Sequence, residues 1–258
     1  MHRHSPAFTV TMAETAADLR AAQRLRYDVF VRELGGSGPL VNHAQGCEVD
    51  DFDPHASHLL LRDMHRDPGD QVVGTYRLMT EDTARQAGGF YCEAEYDLQR
   101  LRETDHKLLE LGRSCLHPAY RGGTAMMHLW GALADYVKAH DIGLIFGVAS
   151  FHGTDVQAMA GPLSLMHDRH LAPAHLRVQA KKTGAHAMNL IPPDQIDRVA
   201  AMRDTPALIK AYLRLGAVVG EGAYIDTAFN TTDICLILTT DAISALQRSI
   251  YARGADNG

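Results

Sequence analysis

The chain has 258 residues, of which 46% are hydrophobic. It contains 25 lysines and arginines and 31 aspartates and glutamates, which gives a formal net charge of -6. This composition is ordinary for a soluble globular protein, and the negative balance argues against nucleic acid as the main partner. No apolar run approaches the roughly 18 residues needed to cross a bilayer, and the N-terminus lacks the apolar segment of a signal peptide.

The first predicted elements are a strand at Phe8–Met12, where apolar and polar residues alternate, and a helix over residues 14–34. Arg26 lies within the apolar face of that helix. Because burying a guanidinium group alone is very costly, Arg26 needs acidic partners from elsewhere in the chain. The loop that follows offers three carboxylates, those of Glu48, Asp50 and Asp53.

Two strands, at residues 57–62 and 71–79, are predicted to form a hairpin. The sequence Asp67-Pro68-Gly69-Asp70 between them is a strong turn signal. Alternation places Arg77 on a half-buried face of the second strand, where it is another charge in an otherwise apolar element. A polar connection with a short helix near residues 94–102 is predicted to follow.

Residues 108–116 form an apolar, strand-like run, and His117-Pro118 ends it because proline cannot continue a central ladder. The chain then passes through Arg121-Gly122-Gly123 into a helix predicted from Thr124 to His140. The two glycines let the backbone approach a ligand closely, and a helix N-terminus offers unpaired N–H groups. The turn is therefore a candidate phosphate site. The alternative is a plain loop that caps the helix.

The remaining predicted elements are a strand at 142–149, helices at 154–166 and 206–215, a polar loop at 226–232 and a strand at 233–239. Mixed strands with interleaved helices indicate an α/β fold with helices packed on a sheet. No clear linker interrupts the sequence, so residues 1–258 are predicted to form one domain. The four cysteines lack CxxC spacing, which suits reduced thiols, and the histidines lack zinc-binding spacing, so no metal site is predicted.

Charged side chains recur in segments that otherwise resemble core elements. They are Arg26, Glu48, Asp50, Asp53, Arg77, Glu110 and Arg113. One interpretation is a buried ion-pair network, which often adds little stability. The other is a polar active site, in which such a network orients a substrate and leaves one carboxylate to act as a base. A β-bulge near Gly112 would bring Glu110 and Arg113 to the same side of their strand.

The order of elements and the turn His117-Pro-Ala-Tyr-Arg-Gly-Gly123 resemble the GNAT N-acyltransferase fold. The resemblance implies a mixed, mostly antiparallel central sheet flanked by helices, with splayed central strands and a turn that holds the phosphate of the acyl donor. The motifs Arg26-Tyr-Asp-Val-Phe30, Glu48-Val-Asp-Asp-Phe-Asp53 and Glu110-Leu-Gly-Arg113 are similar to those of acyl-homoserine lactone synthases. The chain departs from those enzymes at Gly35-Gly36, where they carry a tryptophan, and in its greater length.

A closer resemblance, over nearly the whole chain, is to the ornithine N-acyltransferases that make lyso-ornithine lipid. The runs that carry it are Glu110-Leu-Gly-Arg-Ser-Cys-Leu-His-Pro-Ala-Tyr-Arg121, Phe146-Gly-Val-Ala-Ser-Phe-His-Gly-Thr-Asp155, Leu208-Ile-Lys-Ala-Tyr-Leu-Arg-Leu-Gly216 and Ile225-Asp-Thr-Ala-Phe-Asn-Thr-Thr-Asp-Ile-Cys235. The resemblance implies transfer of a 3-hydroxy fatty acyl group from acyl carrier protein to the α-amine of ornithine. It also implies a family-specific extension from about residue 152.

The same resemblance implies that no cofactor is tightly bound and that the phosphopantetheine thioester of acyl carrier protein is a co-substrate. A cytoplasmic enzyme with peripheral contact at the inner membrane face would fit these substrates. Another acceptor such as glutamine or glycine, synthesis of an acyl-homoserine lactone, and a non-catalytic binding module are the alternatives.

Site residues are predicted from these patterns together. Glu110 is the predicted general base, with Glu48 as the alternative. The predicted donor site consists of Leu116, His117, Arg121, Gly122, Gly123 and Thr124. The predicted substrate-binding residues are Arg26, Asp50, Asp53, Arg77, Arg113, Ser150, Asp226 and Asn230. Arg77 or Arg113 would hold the amino-acid carboxylate, and Asp226, Asn230 or Asp233 would meet its side chain.

Overall fold

The structure is a computed structural model that describes residues 5–39 and 41–242. Its helices are α1 (Ala16–Arg26), α2 (Glu81–Ala87), α3 (Gln99–Arg102), α4 (Ala125–Ala139), α5 (Ala160–His170), α6 (Arg198–Asp204) and α7 (Ala207–Arg214). Its strands are β1 (Phe8–Met12), β2 (Val41–Asn42), β3 (Cys47–Glu48), β4 (Ser57–Asp63), β5 (Val72–Thr80), β6 (Tyr96–Asp97), β7 (Leu108–Leu116), β8 (Leu144–His152), β9 (Gln179–Ala180), β10 (Ala185–His186), β11 (Val218–Val219), β12 (Ala223–Asp226) and β13 (Thr231–Thr239). Within the described ranges, none of the helices has the length and apolar character needed to cross a membrane.

The described chain divides into two compact units. The first comprises residues 5–39, 41–87 and 111–141. Its strands lie in the order β1-β4-β5-β7, and both the β1–β4 and the β4–β5 pairs are antiparallel, which confirms the predicted hairpin. Helices α1 and α4 pack on these strands. The single domain expected over residues 1–258, with its extension from about residue 152, stays a prediction.

The second unit comprises residues 88–110 and 142–242. Its strands lie in the order β7-β8-β13-β12-β10, and β11 also pairs with β13. The β7–β8 pair is parallel and covers Leu108–Glu110 with Leu144–Phe146, whereas the β8–β13, β12–β13 and β10–β12 pairs are antiparallel. The predicted α/β fold with a mixed, mostly antiparallel sheet flanked by helices is therefore confirmed.

The helix predicted over residues 14–34 begins at Ala16 and changes its type midway. Thr15 caps it, since its hydroxyl accepts the N–H of Asp18 and the Asp18 carboxylate accepts the N–H of Thr15, both at 3.1 Å. After Arg26 the chain continues as a π-helix, Tyr27–Glu33, which the 3.6-residue periodicity of the sequence does not reveal. The π-helix ends at Glu33, which is exposed at the surface of the first unit.

Two other predicted helices are shorter or displaced. The helix expected at 154–166 is observed as α5, because Asp155 accepts N–H bonds from Gln157 and Ala158 and holds the preceding residues in turns. The helix expected near 94–102 is reduced to α3, preceded by a 3-10 turn at Tyr91–Ala94. Helix α2 was not expected, although its first turn carries two acidic residues that favour a helix N-terminus.

Candidate active site

Six charged residues of the first unit form a closed ring, in which arginines and carboxylates alternate. In order round the ring they are Arg26, Glu48, Arg113, Asp50, Arg77 and Asp53. The six ion-pair distances run from 2.5 to 3.7 Å. Three guanidinium groups thus face three carboxylates, and their formal charges cancel. The sequence-based interpretation of a buried ion-pair network is confirmed.

Arg26, at the end of α1, makes short contacts with both of its neighbours in the ring. Its Nη1 and Nη2 atoms donate to the two oxygens of Asp53 at 2.7 and 2.6 Å, and Nη2 also donates to the carbonyl of Glu48 at 2.6 Å. Its Nε lies 2.5 Å from the Glu48 carboxylate, and the side chains of both residues are 0% exposed. The prediction that Arg26 requires acidic partners from the 48–53 loop is confirmed.

Burial and neighbouring charges shift the pKa values of Arg26 and Asp53 in opposite directions. Burial alone would raise the pKa of Asp53, but hydrogen bonds from Arg26 and the positive charge of Arg26 outweigh it and hold that pKa well below its usual range. Burial would lower the pKa of Arg26, and the hydrogen bond to Asp53 with the charge of Glu48 raises it instead. Both groups therefore stay ionised in the folded protein.

Two residues beside the ring were missed by the sequence-based reasoning. Gln23 lies three positions before Arg26 on α1, and its side-chain amide donates to Asp53 at 2.9 Å. His58 is buried, and its Nε2 donates to the carbonyl of Asp53 at 3.1 Å. Burial lowers the pKa of His58, with a smaller opposing contribution from Asp53, so the imidazole is neutral.

The three arginines of the ring differ in their access to solvent. The side chain of Arg26 is 0% exposed, that of Arg77 is 1% exposed, and that of Arg113 is 10% exposed. Arg113 also has a φ of 49°, an unusual conformation for a residue other than glycine, next to the position where a bulge was expected. Arg113 is therefore the member of the ring best placed to meet a substrate, whereas a contact to Arg26 or Arg77 would require the ring to open.

The predicted donor turn lies in the same unit. After the buried Leu116, the side chain of His117 accepts the N–H of Ala119 and begins a 3-10 turn, Pro118–Tyr120. The hydroxyl of Tyr120 donates to Asp63 at 2.7 Å and fixes the turn on the end of β4. These contacts hold the loop that precedes α4.

The backbone that leads into α4 is open to a ligand. Gly122 has a φ of 75°, which favours glycine, and a side chain added there would meet none of the described residues within 4 Å. Thr124 is the N-cap of α4 and makes no side-chain capping hydrogen bond. The N-terminus of this 15-residue helix thus lies beside Gly122 and Gly123, and a helix N-terminus presents N–H groups, as a phosphate site requires.

Arg121 is engaged by an acidic residue. Its Nη1 and Nη2 atoms donate to the two oxygens of Glu33 at 2.5 and 2.8 Å, and its Nε and Nη2 donate to the carbonyl of Leu116 at 3.2 and 3.1 Å. Glu33 was not among the predicted site residues, because no sequence pattern connects two positions that are 88 residues apart.

Glu110 lies in the second unit, at the end of the parallel ladder with β8. Its carboxylate accepts the N–H groups of Tyr91 and Cys92 at 2.9 and 2.6 Å, and the residue is 3% exposed. These two bonds orient the carboxylate. They also attach the 3-10 turn at Tyr91–Ala94 to β7.

The other predicted substrate-binding residues lie at the ends of β8, β12 and β13. Ser150 is exposed and stands opposite Asp233 in the β8–β13 ladder. Asp226 accepts the N–H groups of Ala228 and Phe229 with one oxygen, at 2.8 and 3.2 Å. Asn230 is exposed, with a φ of 53°.

Three carboxylates come together at this edge of the second unit. Oxygen atoms of Glu95, Asp226 and Asp233 all lie within 4.8 Å of one another. Glu95 and Asp233 are buried and Asp226 is half-buried. Such a concentration of negative charge suits a cation, either a metal ion or an ammonium group. Glu95 was not predicted, because nothing in the sequence around it distinguishes it from a surface acid.

Fold and site features together define a GNAT N-acyltransferase. A model of the acetyltransferase (GNAT) domain matches residues 25–131. In fold, the chain is similar to a CoA-dependent acyl-homoserine lactone synthase, BjaI, with a TM-score of 0.55 and 14% identity over 97% of this chain and 90% of that one. It is also similar to FeeM, an N-acyl amino acid synthase from uncultured soil microbes, with a TM-score of 0.52 and 13% identity over 95% and 99% of the two chains.

Sequence comparison narrows the class to a family. The chain is 52% identical over 248 residues to an L-ornithine N(alpha)-acyltransferase of Rhodobacter capsulatus, which covers 95% of both chains. It is 40% identical to an enzyme of the same name from Brucella abortus, over 96% of this chain and 89% of that one. The chain belongs to the L-ornithine N(alpha)-acyltransferase family.

Proposed function

We propose that this enzyme transfers a 3-hydroxy fatty acyl group from acyl carrier protein to the α-amine of ornithine, giving lyso-ornithine lipid. The observation that carries the proposal is the 52% identity to an L-ornithine N(alpha)-acyltransferase over 95% of both chains. A cytoplasmic location, with peripheral contact at the inner face of the membrane, fits a soluble thioester donor and a lipid product.

The donor's phosphopantetheine phosphate would bind at the turn that leads into α4. Gly122 and Gly123 leave room for it, and the N-terminus of α4 adds N–H groups and the positive end of a helix dipole. Arg121 is the neighbouring arginine, and it is paired with Glu33. The acyl chain contributes up to about 0.8 kcal/mol for each buried CH₂ group, so a long chain supplies much of the donor's affinity.

The acceptor is a zwitterion with a second ammonium group. In the first unit, the guanidinium of Arg113 would hold the carboxylate through two N–H donors. In the second unit, the carboxylates of Glu95, Asp226 and Asp233 match the charge of an ammonium group. A neutral side chain would gain no charge–charge attraction from these three carboxylates, so their charge favours ornithine over glutamine or glycine.

The α-amine must lose a proton before it attacks the thioester carbonyl. An α-amine with a pKa near 8 is deprotonated at neutral pH at a cost of about 1 kcal/mol, whereas an amine with a pKa near 10.4 costs about 4–5 kcal/mol. This difference favours acylation of the α-amine over the side-chain amine.

Glu110 would act as the general base, directly or through one water molecule, a contribution of about 10²–10⁴-fold in rate. The nitrogen–carbon bond forms, the carbon–sulfur bond breaks, and the departing phosphopantetheine thiolate takes up the proton that the amine lost. Glu48, the alternative base, has each carboxylate oxygen against a guanidinium group of the ring, and this position suits it better to hold Arg113 than to accept a proton.

The decisive experiment compares acyl donors and amine acceptors. The donors are 3-hydroxyacyl and unhydroxylated acyl carrier proteins and the matching acyl-CoA thioesters. The acceptors are ornithine, lysine, glutamine, glycine and S-adenosylmethionine. Thiol release gives the rate, and mass spectrometry identifies the product. We expect N-acylornithine from the 3-hydroxyacyl carrier protein at the highest kcat/KM. A lactone product, a preference for glutamine or glycine, or no turnover of any thioester would each contradict the proposal.

A pair of matched variants tests the base. We expect Glu110→Gln to lower kcat by about 10²-fold or more and to change its pH dependence, while Glu103→Gln, an exposed residue of the same unit, leaves both unchanged. Turnover by Glu110→Gln that equals the wild type at every pH would remove Glu110 from the role.

A further inference from the structure

The ion pair between Arg121 and Glu33 is a feature that the proposed reaction does not require. An arginine has about five N–H donors, and four hydrogen bonds of Arg121 already go to Glu33 and to the carbonyl of Leu116. A bidentate contact to a phosphate would use the Nη1 and Nη2 atoms, and these two atoms donate to Glu33. A phosphate arriving at the turn therefore meets a neutral pair instead of a cation.

We propose that Glu33 competes with the donor's phosphate for Arg121 and thereby sets the affinity of the enzyme for its donor. Glu33 holds the guanidinium in the donor-free enzyme and releases it when the phosphopantetheine phosphate binds at Gly122–Thr124. This inference rests on the proposed function, because it takes that turn as the site of the donor's phosphate.

The position and exposure of Glu33 suit such an exchange. Glu33 is the last residue of the π-helix Tyr27–Glu33, so its side chain leaves a helix end and not the middle of a packed element. The side chains of Arg121 and Glu33 are 42% and 34% exposed, unlike those of the buried ring. A partly solvated pair separates at low cost, because water stabilises both charges once they part.

Glu33 also keeps its negative charge under the conditions of the reaction. The hydrogen bond from Arg121 lowers the pKa of Glu33, and the charge of Arg121 contributes further, against a smaller opposing effect of burial. The carboxylate thus has the same charge and the same two-oxygen geometry as the phosphate that it would yield to. A neutral side chain at this position could not compete in this way.

The test compares phosphopantetheine with pantetheine, which lacks the phosphate, as ligands of four proteins: the wild type, Glu33→Gln, Arg121→Met and the double variant. Because exposed ion pairs contribute little, we expect Glu33→Gln to bind phosphopantetheine about two- to fivefold more tightly. Pantetheine affinity should not change. The KM for 3-hydroxyacyl carrier protein should fall by a similar factor while kcat stays the same, as for an interaction that affects binding alone.

Two controls separate competition from a general effect of surface charge. Asp82→Asn removes the same charge from another exposed pair, that of Asp82 with Arg85 at 3.1 Å, and should leave phosphopantetheine affinity unchanged. In the Arg121→Met background, Glu33→Gln should have no further effect, because the group for which it competes is gone.

The outcomes distinguish this inference from the proposed function. If Arg121→Met weakens phosphopantetheine binding but Glu33→Gln leaves it unchanged or weaker, Glu33 orients Arg121 instead of competing for it, and only this inference is overturned. If Arg121→Met binds phosphopantetheine as tightly as the wild type, the donor's phosphate lies elsewhere, and the proposed donor site fails as well.

Discussion

Replacement of Arg26 by methionine tests the physical reasoning about the buried ring most directly. Methionine has a similar length and no charge, so the change removes the guanidinium while most of the volume remains. It leaves Glu48 and Asp53 buried in a ring with one excess negative charge. Breaking a buried ion pair in this way typically costs about 3–5 kcal/mol, a large part of the roughly 5–15 kcal/mol that stabilises a folded protein.

The assay is equilibrium unfolding in urea, followed by circular dichroism and tryptophan fluorescence. With a slope of about 1–3 kcal/mol per molar urea, a loss of this size moves the midpoint by about 1 M or more. The matched control is Arg85→Ala, which removes a guanidinium from a pair whose side chains are 76% and 83% exposed and should cost less than about 0.5 kcal/mol.

A second substitution distinguishes lost charge balance from lost packing. Arg26→Met combined with Asp53→Asn restores a ring of two cations and two anions, so the double variant should be more stable than Arg26→Met alone. We expect a coupling of about 1–3 kcal/mol between the two sites. A loss below about 1 kcal/mol for Arg26→Met, or a double variant no more stable than the single one, would refute the account of the ring.

Three further predictions concern pH, packing and substrate choice. His58 has a folded-state pKa below its ordinary value of 6.5 because it is buried, so its contribution to stability is complete above pH 6.5 and is lost as the pH falls through the folded-state value. The difference between the free energies of unfolding at pH 7.5 and 5.5 should therefore be smaller in His58→Gln than in the wild type. An equal difference in the two proteins would contradict this prediction. A Cβ atom at Gly74 would lie 2.6 Å from Leu116 Cδ2, so Gly74→Ala should lower the free energy of unfolding by about 1–3 kcal/mol, and an unchanged thermal midpoint would show that the packing yields. Asp226→Asn should raise the KM for ornithine several-fold and leave the KM for glutamine nearly unchanged, whereas an equal rise for both substrates would place the side-chain ammonium elsewhere.

Local patterns predicted the elements that depend on near neighbours in the sequence. The hairpin of β4 and β5 follows from a Pro-Gly turn between alternating runs, and β7 follows from an apolar run that a proline ends. The partners of Arg26 were also predictable, because the cost of burying one arginine is high enough to require carboxylates nearby.

Features that depend on tertiary geometry could not be predicted in the same way. Closure of the ring needs Arg77 and Arg113 at particular positions on two strands, and the sequence shows only that both are charged. The π-helix has no periodic signature in so short a segment, and it determines where Glu33 lies. Glu95 joins Asp226 and Asp233 only through the fold of the second unit.

The closed ring gives a reason why an enzyme would bury three arginines, although a buried ion-pair network often adds little stability compared with apolar side chains. Arg113 has a left-handed φ of 49°, a conformation that costs roughly 1–2 kcal/mol in a residue other than glycine and persists only where neighbouring contacts hold it. Glu48 and Asp50 supply those contacts, and they in turn are held by Arg26 and Arg77. A lone Arg113 could relax to an ordinary strand conformation and turn its guanidinium away from the acceptor. Removal of the Arg26 guanidinium should therefore raise the KM for the acceptor as well as lower the stability, although the side chain of Arg26 is 0% exposed.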